Sequence, residues 1–285
     1  MDVDDVRTVA AADTSFLLRC SGSPGGSGTP VLLLHGVPET SSCWRDVAPR
    51  LADDRRVLAP DLPGLGGSVY AGPYDVPALV AQLAALLEAQ GGGPVDVVGH
   101  DWGGVLALGL AGLRPDLVRR LVVVNAPFRS GPPVHRAVHL PLFALPGLPE
   151  AAFWLGGRRV VDLMLRAGWR SERPLDPERR AEYEAAYAGG QRVAAMLGYY
   201  RAAVRPRRGA RRPGSALAAG LPPVRVERAL VLWGALDPVL PIATGEAVVR
   251  DLGPGTVMTT VPGAGHFVLE EAPDEVAEVL LAFLA

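Results

Sequence analysis

The sequence predicts an α/β protein: a mostly parallel central sheet flanked by helices and interrupted by an inserted helical subdomain. Three observations carry that expectation. Short runs at Val31–Leu34, 57–59, 95–98 and 121–124, all apolar but for Asp96, alternate with helical segments, as buried parallel strands do. The alternation stops after about residue 127 and resumes at 229–232. The stretch between is too long for a loop in a compact domain. Residues 127–222 are therefore assigned to the insert, and 1–126 with 223–285 to the core.

The elements follow in order. Residues 6–10 and 16–20 read as two weak strands, and 21–30 is a Gly/Ser/Pro turn. Residues 41–51 read as a helix. The strand at 57–59 ends in Pro60-Asp61-Leu62-Pro63-Gly64. Val76–Ala89 has helical periodicity and is stopped by Gly91-Gly92-Gly93-Pro94. Trp102–Leu113 is a Gly- and Ala-rich helix. After the insert come a strand at 229–232, a helix at 244–252, a strand at 256–261 and a closing helix at 273–285.

Composition narrows the class. The chain has 285 residues, 49% hydrophobic, with a net charge of −2. Neither nucleic acid nor an anionic membrane is favoured as partner by that balance. Every basic residue is Arg, read as coding bias. Cys20 and Cys43 make no disulfide framework and suit a reducing compartment. The acidic start, Met1-Asp2-Val3-Asp4-Asp5, lacks a secretory pattern, and no apolar run reaches spanning length. The expectation is a cytoplasmic monomer or homodimer. Neither a clustered His/Cys ligand set nor a dinucleotide fingerprint is visible, so no metal and no organic cofactor is expected.

The chemistry concentrates at three loops. Gly99-His100-Asp101-Trp102-Gly103-Gly104 lies between a buried strand and a helix, the small-x-nucleophile-x-small pattern of a sharp strand-to-helix turn. Its central residue is Asp, ionised at neutral pH without help from a base. A carboxylate is a poor nucleophile toward carbonyls but displaces at saturated carbon to give an alkyl ester. The competing reading is that Asp101 only caps the helix. Gly263-Ala264-Gly265-His266-Phe267 follows the last strand, where His266 suits a general base. Asp237, just beyond the strand at 229–232, suits the acid that orients it; otherwise it is a turn Asp before Pro238. The order Asp101, Asp237, His266 is nucleophile, acid, base. Leu34-His35-Gly36-Val37-Pro38 ends the first buried strand, and backbone N–H groups of Val37 and Trp102 are assigned to an oxyanion hole. His35 reads as a loop-fixing hydrogen bonder.

His35-Gly36-Val37-Pro38-Glu39 with Trp44, Ala59-Pro60-Asp61-Leu62-Pro63-Gly64-Leu65-Gly66-Gly67-Ser68, and the segment around Asp101 resemble the α/β-hydrolase-fold epoxide hydrolases, with haloalkane dehalogenases as close relatives. The resemblance covers nearly the whole core and implies the α/β-hydrolase fold with a helical cap, a small-molecule epoxide as substrate and a vicinal diol as product. In that family cap tyrosines protonate the opening epoxide. The match to Leu197-Gly198-Tyr199-Tyr200-Arg201-Ala202 implies Tyr200 as donor, against a plain packing role. The second, early-cap tyrosine of the family is missing from 138–147, where His139 falls instead. His139, Tyr199 and Pro38 are the further candidates for substrate contact. Val37 offers no side-chain donor for a halide, which counts against a haloalkane dehalogenase. A biosynthetic hydrolase acting on a complex natural product and a binding protein on the same fold stay open as competing functions. The basic run 205–212 reads as a solvated cap loop.

Overall fold

The computed structural model describes residues 5–23, 25–129, 139–204 and 221–285, with the backbone alone at 139–141. An eight-stranded sheet has the order β1-β2-β4-β3-β5-β6-β7-β8. β1 (Asp5–Ala11) and β2 (Thr14–Ser21) form an antiparallel hairpin on the β4 edge. From β3 (Val31–Leu34) through β4 (Val57–Pro60), β5 (Val95–His100), β6 (Val118–Val124), β7 (Arg228–Gly234) and β8 (Val257–Val261) all pairs are parallel. β3, β4 and β5 are buried along their whole length, because helices cover both faces and leave no reason for polar alternation.

The helices of the first half are α1 (Ala48–Leu51), α2 (Val76–Ala89) and α3 (Trp102–Leu113). The single helix expected over 41–51 is instead a 3₁₀ turn, Ser41–Trp44, followed by α1. Pro49 has no N–H to bond the carbonyl of Arg45, so a continuous α-helix fails there. The first turn closes through i+3 bonds, with Arg45 N–H to Ser42 O at 3.0 Å and Val47 N–H to Trp44 O at 3.0 Å.

Between β6 and β7 the described chain is helical: α4 (His139–Ala144), α5 (Leu148–Gly156), α6 (Arg158–Gly168), α7 (Pro177–Ala186) and α8 (Gly190–Val204). α4 and α5 pack against α8, and α6 against α7. Polar ties join this layer to the core. The buried Arg179 guanidinium donates to Glu270 at 2.6 Å and to both Asp46 oxygens at 3.1 and 3.0 Å. Glu182 accepts from Arg19, Arg45 and the Thr40 hydroxyl. Only the Arg179–Glu270 pair is buried on both sides, and removing one member of a buried pair costs about 3–5 kcal/mol. The chain finishes with α9 (Ile242–Leu252), the short α10 (Val268–Glu271) and α11 (Pro273–Leu284). Among the described residues, no helix is long and apolar enough to cross a membrane.

The topology places the site. The chain runs from β3 outward to β4, then crosses back to β5 on the other side of β3. The crossovers diverge there and open a crevice beyond the carboxyl ends of β3 and β5. The loops after β3, β5, β7 and β8 all emerge at this end of the sheet.

Candidate active site

Asp101 sits at the turn between β5 and α3 with φ 49° and ψ −117°, a conformation costing a non-glycine residue about 1–3 kcal/mol. Glycine neighbours make the turn possible. A Cβ at Gly99 would lie 2.2 Å from the Gly103 carbonyl oxygen, and one at Gly103 would lie 2.2 Å from that of Leu34. Two backbone bonds hold the strained residue: Asp101 N–H to Val124 O at 3.1 Å and Val105 N–H to Asp101 O at 3.0 Å. The Asp101 side chain makes no N-cap hydrogen bond into the first turn of α3 beyond Trp102, and the carboxylate faces the crevice.

Its two oxygens have different partners. Oδ1 accepts the Val37 N–H at 3.1 Å, and the Trp102 N–H also bonds the carboxylate. Oδ2 lies 3.6 Å from His266 Nε2, with the Asp101 side chain 16% exposed. Burial alone would raise this carboxyl. Hydrogen bonding and charge from His266, then His100 and the Trp102 N–H, hold it below the ordinary value. The Val37 N–H is aimed by its loop. His35 Nε2 accepts from Leu62 N–H at 2.9 Å, which leaves the proton on Nδ1 to donate to Gly36 O at 2.7 Å. The Val37–Pro38 peptide is cis.

His266 Nδ1 lies 2.8 Å from Asp237 Oδ2. Asp237 Oδ2 also accepts from Asn125 Nδ2 at 2.5 Å, and Oδ1 accepts the N–H groups of Val239 (2.7 Å) and Leu240 (2.9 Å). Burial opposes ionisation of Asp237, but His266 and these donors keep its carboxyl below the ordinary value. Burial would likewise lower His266, yet Asp237 and Asp101 push it well above the ordinary imidazole value. His100, buried like His35 and His266, spends both nitrogens, on Glu39 at 2.7 Å and the His266 carbonyl at 2.8 Å. It has no nitrogen left for a water.

The helical layer closes over this set. Tyr200 is buried with its ring edge-on to Trp102 at 5.2 Å and to Phe143 at 4.9 Å. Burial and then the Asp101 charge push its hydroxyl up, offset in part by a hydrogen bond from the Trp102 side chain. Tyr199 is fully buried, and its hydroxyl donates to the Pro63 carbonyl at 2.8 Å. That bond ties α8 to the loop after β4. His139 begins α4, and its side chain lies outside the described residues. Among the described residues no cluster of His, Cys, Asp or Glu is arranged to hold a metal ion.

The alpha/beta hydrolase family profile matches residues 31–279. The chain belongs to the alpha/beta hydrolase family. The chain is 47% identical over 95 residues to lipase LipV of Mycobacterium tuberculosis, covering 33% of the chain and 36% of LipV. It is 42% identical over 101 residues to a soluble epoxide hydrolase of Corynebacterium sp., covering 35% of each protein. These two matches span about a third of either relative. Over the full length, a solved structure from a study of novel epoxide hydrolases in metagenomes from hot environments is 28% identical. It superimposes with a TM-score of 0.82, covering 100% of this chain and 99% of that one.

The fold of this family member therefore brings Asp101, His266, Asp237, Val37, Trp102 and Tyr200 to one end of the sheet. Sequence reasoning did not single out three buried polar residues. Asn125, in left-handed backbone at φ 42°, bridges Asp237 to the Gly234 N–H. A polar residue directly after an apolar strand was the available signal. Tyr187, at the end of α7, is buried with its hydroxyl unpartnered among the described residues. Burial, then Tyr200, Asp61, Glu39 and Asp101, push that hydroxyl well up. Glu271 has no motif to announce it at all.

Proposed function

We propose that this hydrolase opens an epoxide to a vicinal diol through an Asp101 alkyl ester. The observation that carries the reading is the carboxylate at the elbow. One oxygen rests on the Val37 N–H and the other faces the Asp237-oriented imidazole of His266. A serine there would suit acyl transfer, as expected of a lipase. A carboxylate attacking a carbonyl gives only an anhydride that reverts, whereas attack at strained saturated carbon is productive.

In the first step Asp101 Oδ2 bonds an epoxide carbon and the C–O bond breaks. Tyr200 gives its proton to the leaving oxygen, the phenol being held protonated by burial and by Asp101. Tyr187 is proposed as the second donor, in place of the early-cap tyrosine that the sequence lacks. In the second step His266 removes a proton from water, and the hydroxide attacks the Asp101 ester carbonyl. The Val37 and Trp102 N–H groups, already on the carboxylate, stabilise the tetrahedral oxyanion. Collapse expels the ester oxygen as an alkoxide, which takes the proton that His266 drew from water and leaves as the diol. His266 then takes the proton of the new Asp101 carboxyl, which restores the carboxylate. The proton that His266 gave up on esterification restores the Tyr200 phenol.

The charge balance supports this order. With Asp101 anionic, two carboxylates push His266 toward its protonated form. Esterification removes one of those charges, so the imidazole gives up its proton more readily and becomes a base only after the ester exists. Residues 127–222 are proposed as the cap that excludes bulk water meanwhile.

The test is a single turnover in heavy-oxygen water with styrene oxide, followed by intact mass. Label entering Asp101 and an ester trapped by His266→Gln are the expected results. A folded His266→Gln protein that forms no adduct with an epoxide turned over by the wild type would sink the proposal.

A further inference from the structure

Glu271 is a buried carboxylate that no cation among the described residues pairs with. Its oxygens accept four backbone N–H groups instead. Oε2 takes those of Arg170 (2.7 Å), Ser171 (2.7 Å) and Gly265 (2.9 Å), and Oε1 takes that of Phe267 (3.1 Å). Two donors flank His266 in the chain. The other two belong to the turn that follows α6, in the helical layer. One side chain thus stitches the His266 loop to that layer, and the His266 N–H adds a direct bond to Gly168 O at 2.9 Å.

Glycines let the three strands of chain touch at this joint. A Cβ at Gly265 would lie 2.3 Å from Gly168 O, and one at Gly234 would lie 1.9 Å from Gly265 O. A Cβ at Gly168 would lie 2.6 Å from the Phe267 ring and 3.0 Å from His266 Cβ. The end of β7, the His266 loop and the end of α6 are stacked backbone on backbone, and Trp169 stacks on Phe267 at 6.5 Å. Side chains cannot absorb a shift here, so movement of the 168–171 turn passes directly to the imidazole.

We infer that Glu271 is a positioning residue that fastens the His266 loop to the 168–171 turn, so that the base is in register only while the cap is seated. The inference rests on the function proposed above, in which His266 serves the second half-reaction alone. Asp101 and Tyr200 make no bond to Glu271, so alkylation does not depend on the joint. Ester hydrolysis does, because it needs Nε2 aimed at a water beside the ester.

Glu271→Gln tests this with little change of shape. With its oxygen kept at the three-donor position, the new amide NH2 confronts the Phe267 N–H, leaving a donor unpaired next to His266. Single-turnover mass spectrometry on styrene oxide separates the two rates. Hydrolysis should slow by on the order of 10- to 100-fold, the loss expected of a misplaced base, with alkylation within about twofold and ester accumulating. An unchanged hydrolysis rate overturns the inference. Equal loss in both half-reactions also overturns it, because that is general disruption rather than positioning.

Gly168→Ala strains the same joint from the other side and should give the same split. It serves if Glu271→Gln does not fold. Amide hydrogen exchange gives an answer even if the wild type forms no ester, an outcome that would count against the proposed reaction itself. Exchange should then rise together at residues 170–171 and 265–267 in Glu271→Gln. Unaltered exchange in either segment refutes the joint.

Discussion

Asp237→Asn keeps the shape of the acid and exchanges one acceptor oxygen for a donor. Four hydrogen bonds decide the outcome, two on each oxygen. If the amide nitrogen faces Val239 and Leu240, two backbone N–H groups lose their acceptor. Each costs about 1–3 kcal/mol, and no neighbour can adjust. If it faces His266 and Asn125, one conflict vanishes when the imidazole moves its proton from Nδ1 to Nε2. The second orientation therefore wins, and it leaves a proton on the nitrogen that faces Asp101. The imidazole then cannot take a proton from water. The comparable loss of tautomer control in a hydrolytic triad costs about 10⁴-fold, or about 5 kcal/mol of barrier. Ester hydrolysis by Asp237→Asn should fall by roughly that factor, while alkylation is little affected because Asp101 keeps its oxyanion donors. Rapid quench followed by intact mass reads both rates. If Asp237→Asn hydrolyses its ester within about tenfold of the wild type, Asp237 does not set the tautomer, and the reasoning is wrong.

Three further outcomes follow from the same geometry. Tyr200→Phe should slow alkylation by about 10²-fold or more, since it removes a proton donor, and Tyr187→Phe should slow it less. Equal alkylation rates in wild type and Tyr200→Phe would remove Tyr200 from the role. Gly36→Ala places a Cβ 2.7 Å from Asp101 Cβ and 3.1 Å from its Oδ1. The nucleophile should be displaced from the Val37 N–H, giving alkylation at least about tenfold slower, read by the same quench. The pH dependence of stability has a definite sign. His266 titrates above its ordinary 6.5 in the fold, so its contribution is complete below that value and is lost as pH rises through the folded pKa. Asp237 titrates below its ordinary 3.8; its contribution is complete above that value and fades as pH falls through the folded pKa. His266→Gln should flatten the alkaline decline of Tm, and an unchanged alkaline limb in melts from about pH 6 to 10 would contradict the assignment.

The helical layer shows where sequence reading runs out. Tyr200 was singled out because it falls in a recognisable motif. Its neighbour Tyr199 fits the same motif equally well, yet its hydroxyl is spent on Pro63. One helical step rotates a side chain by about 100°, so adjacent residues face different surroundings. Motif matching cannot tell them apart without knowing which face meets the core. The helix expected at 41–51 failed for a local reason that Pro49 already announced.

Local chemistry is written in local sequence. Apolar runs of strand length specify buried parallel strands, and glycines around Asp101 specify a turn that only small residues can make. The strand-to-helix turn that carries Asp101 and the family it points to were therefore readable from residues close together in the chain. Tertiary structure alone decided what converges from far apart. The Arg170 and Ser171 donors on Glu271 and the Asn125 bridge to Asp237 bring together residues 101, 100 and 112 positions apart. Nothing in the spacing of such residues encodes their meeting. It follows from how the sheet orders its strands and how the helical layer settles on the loops at their carboxyl ends.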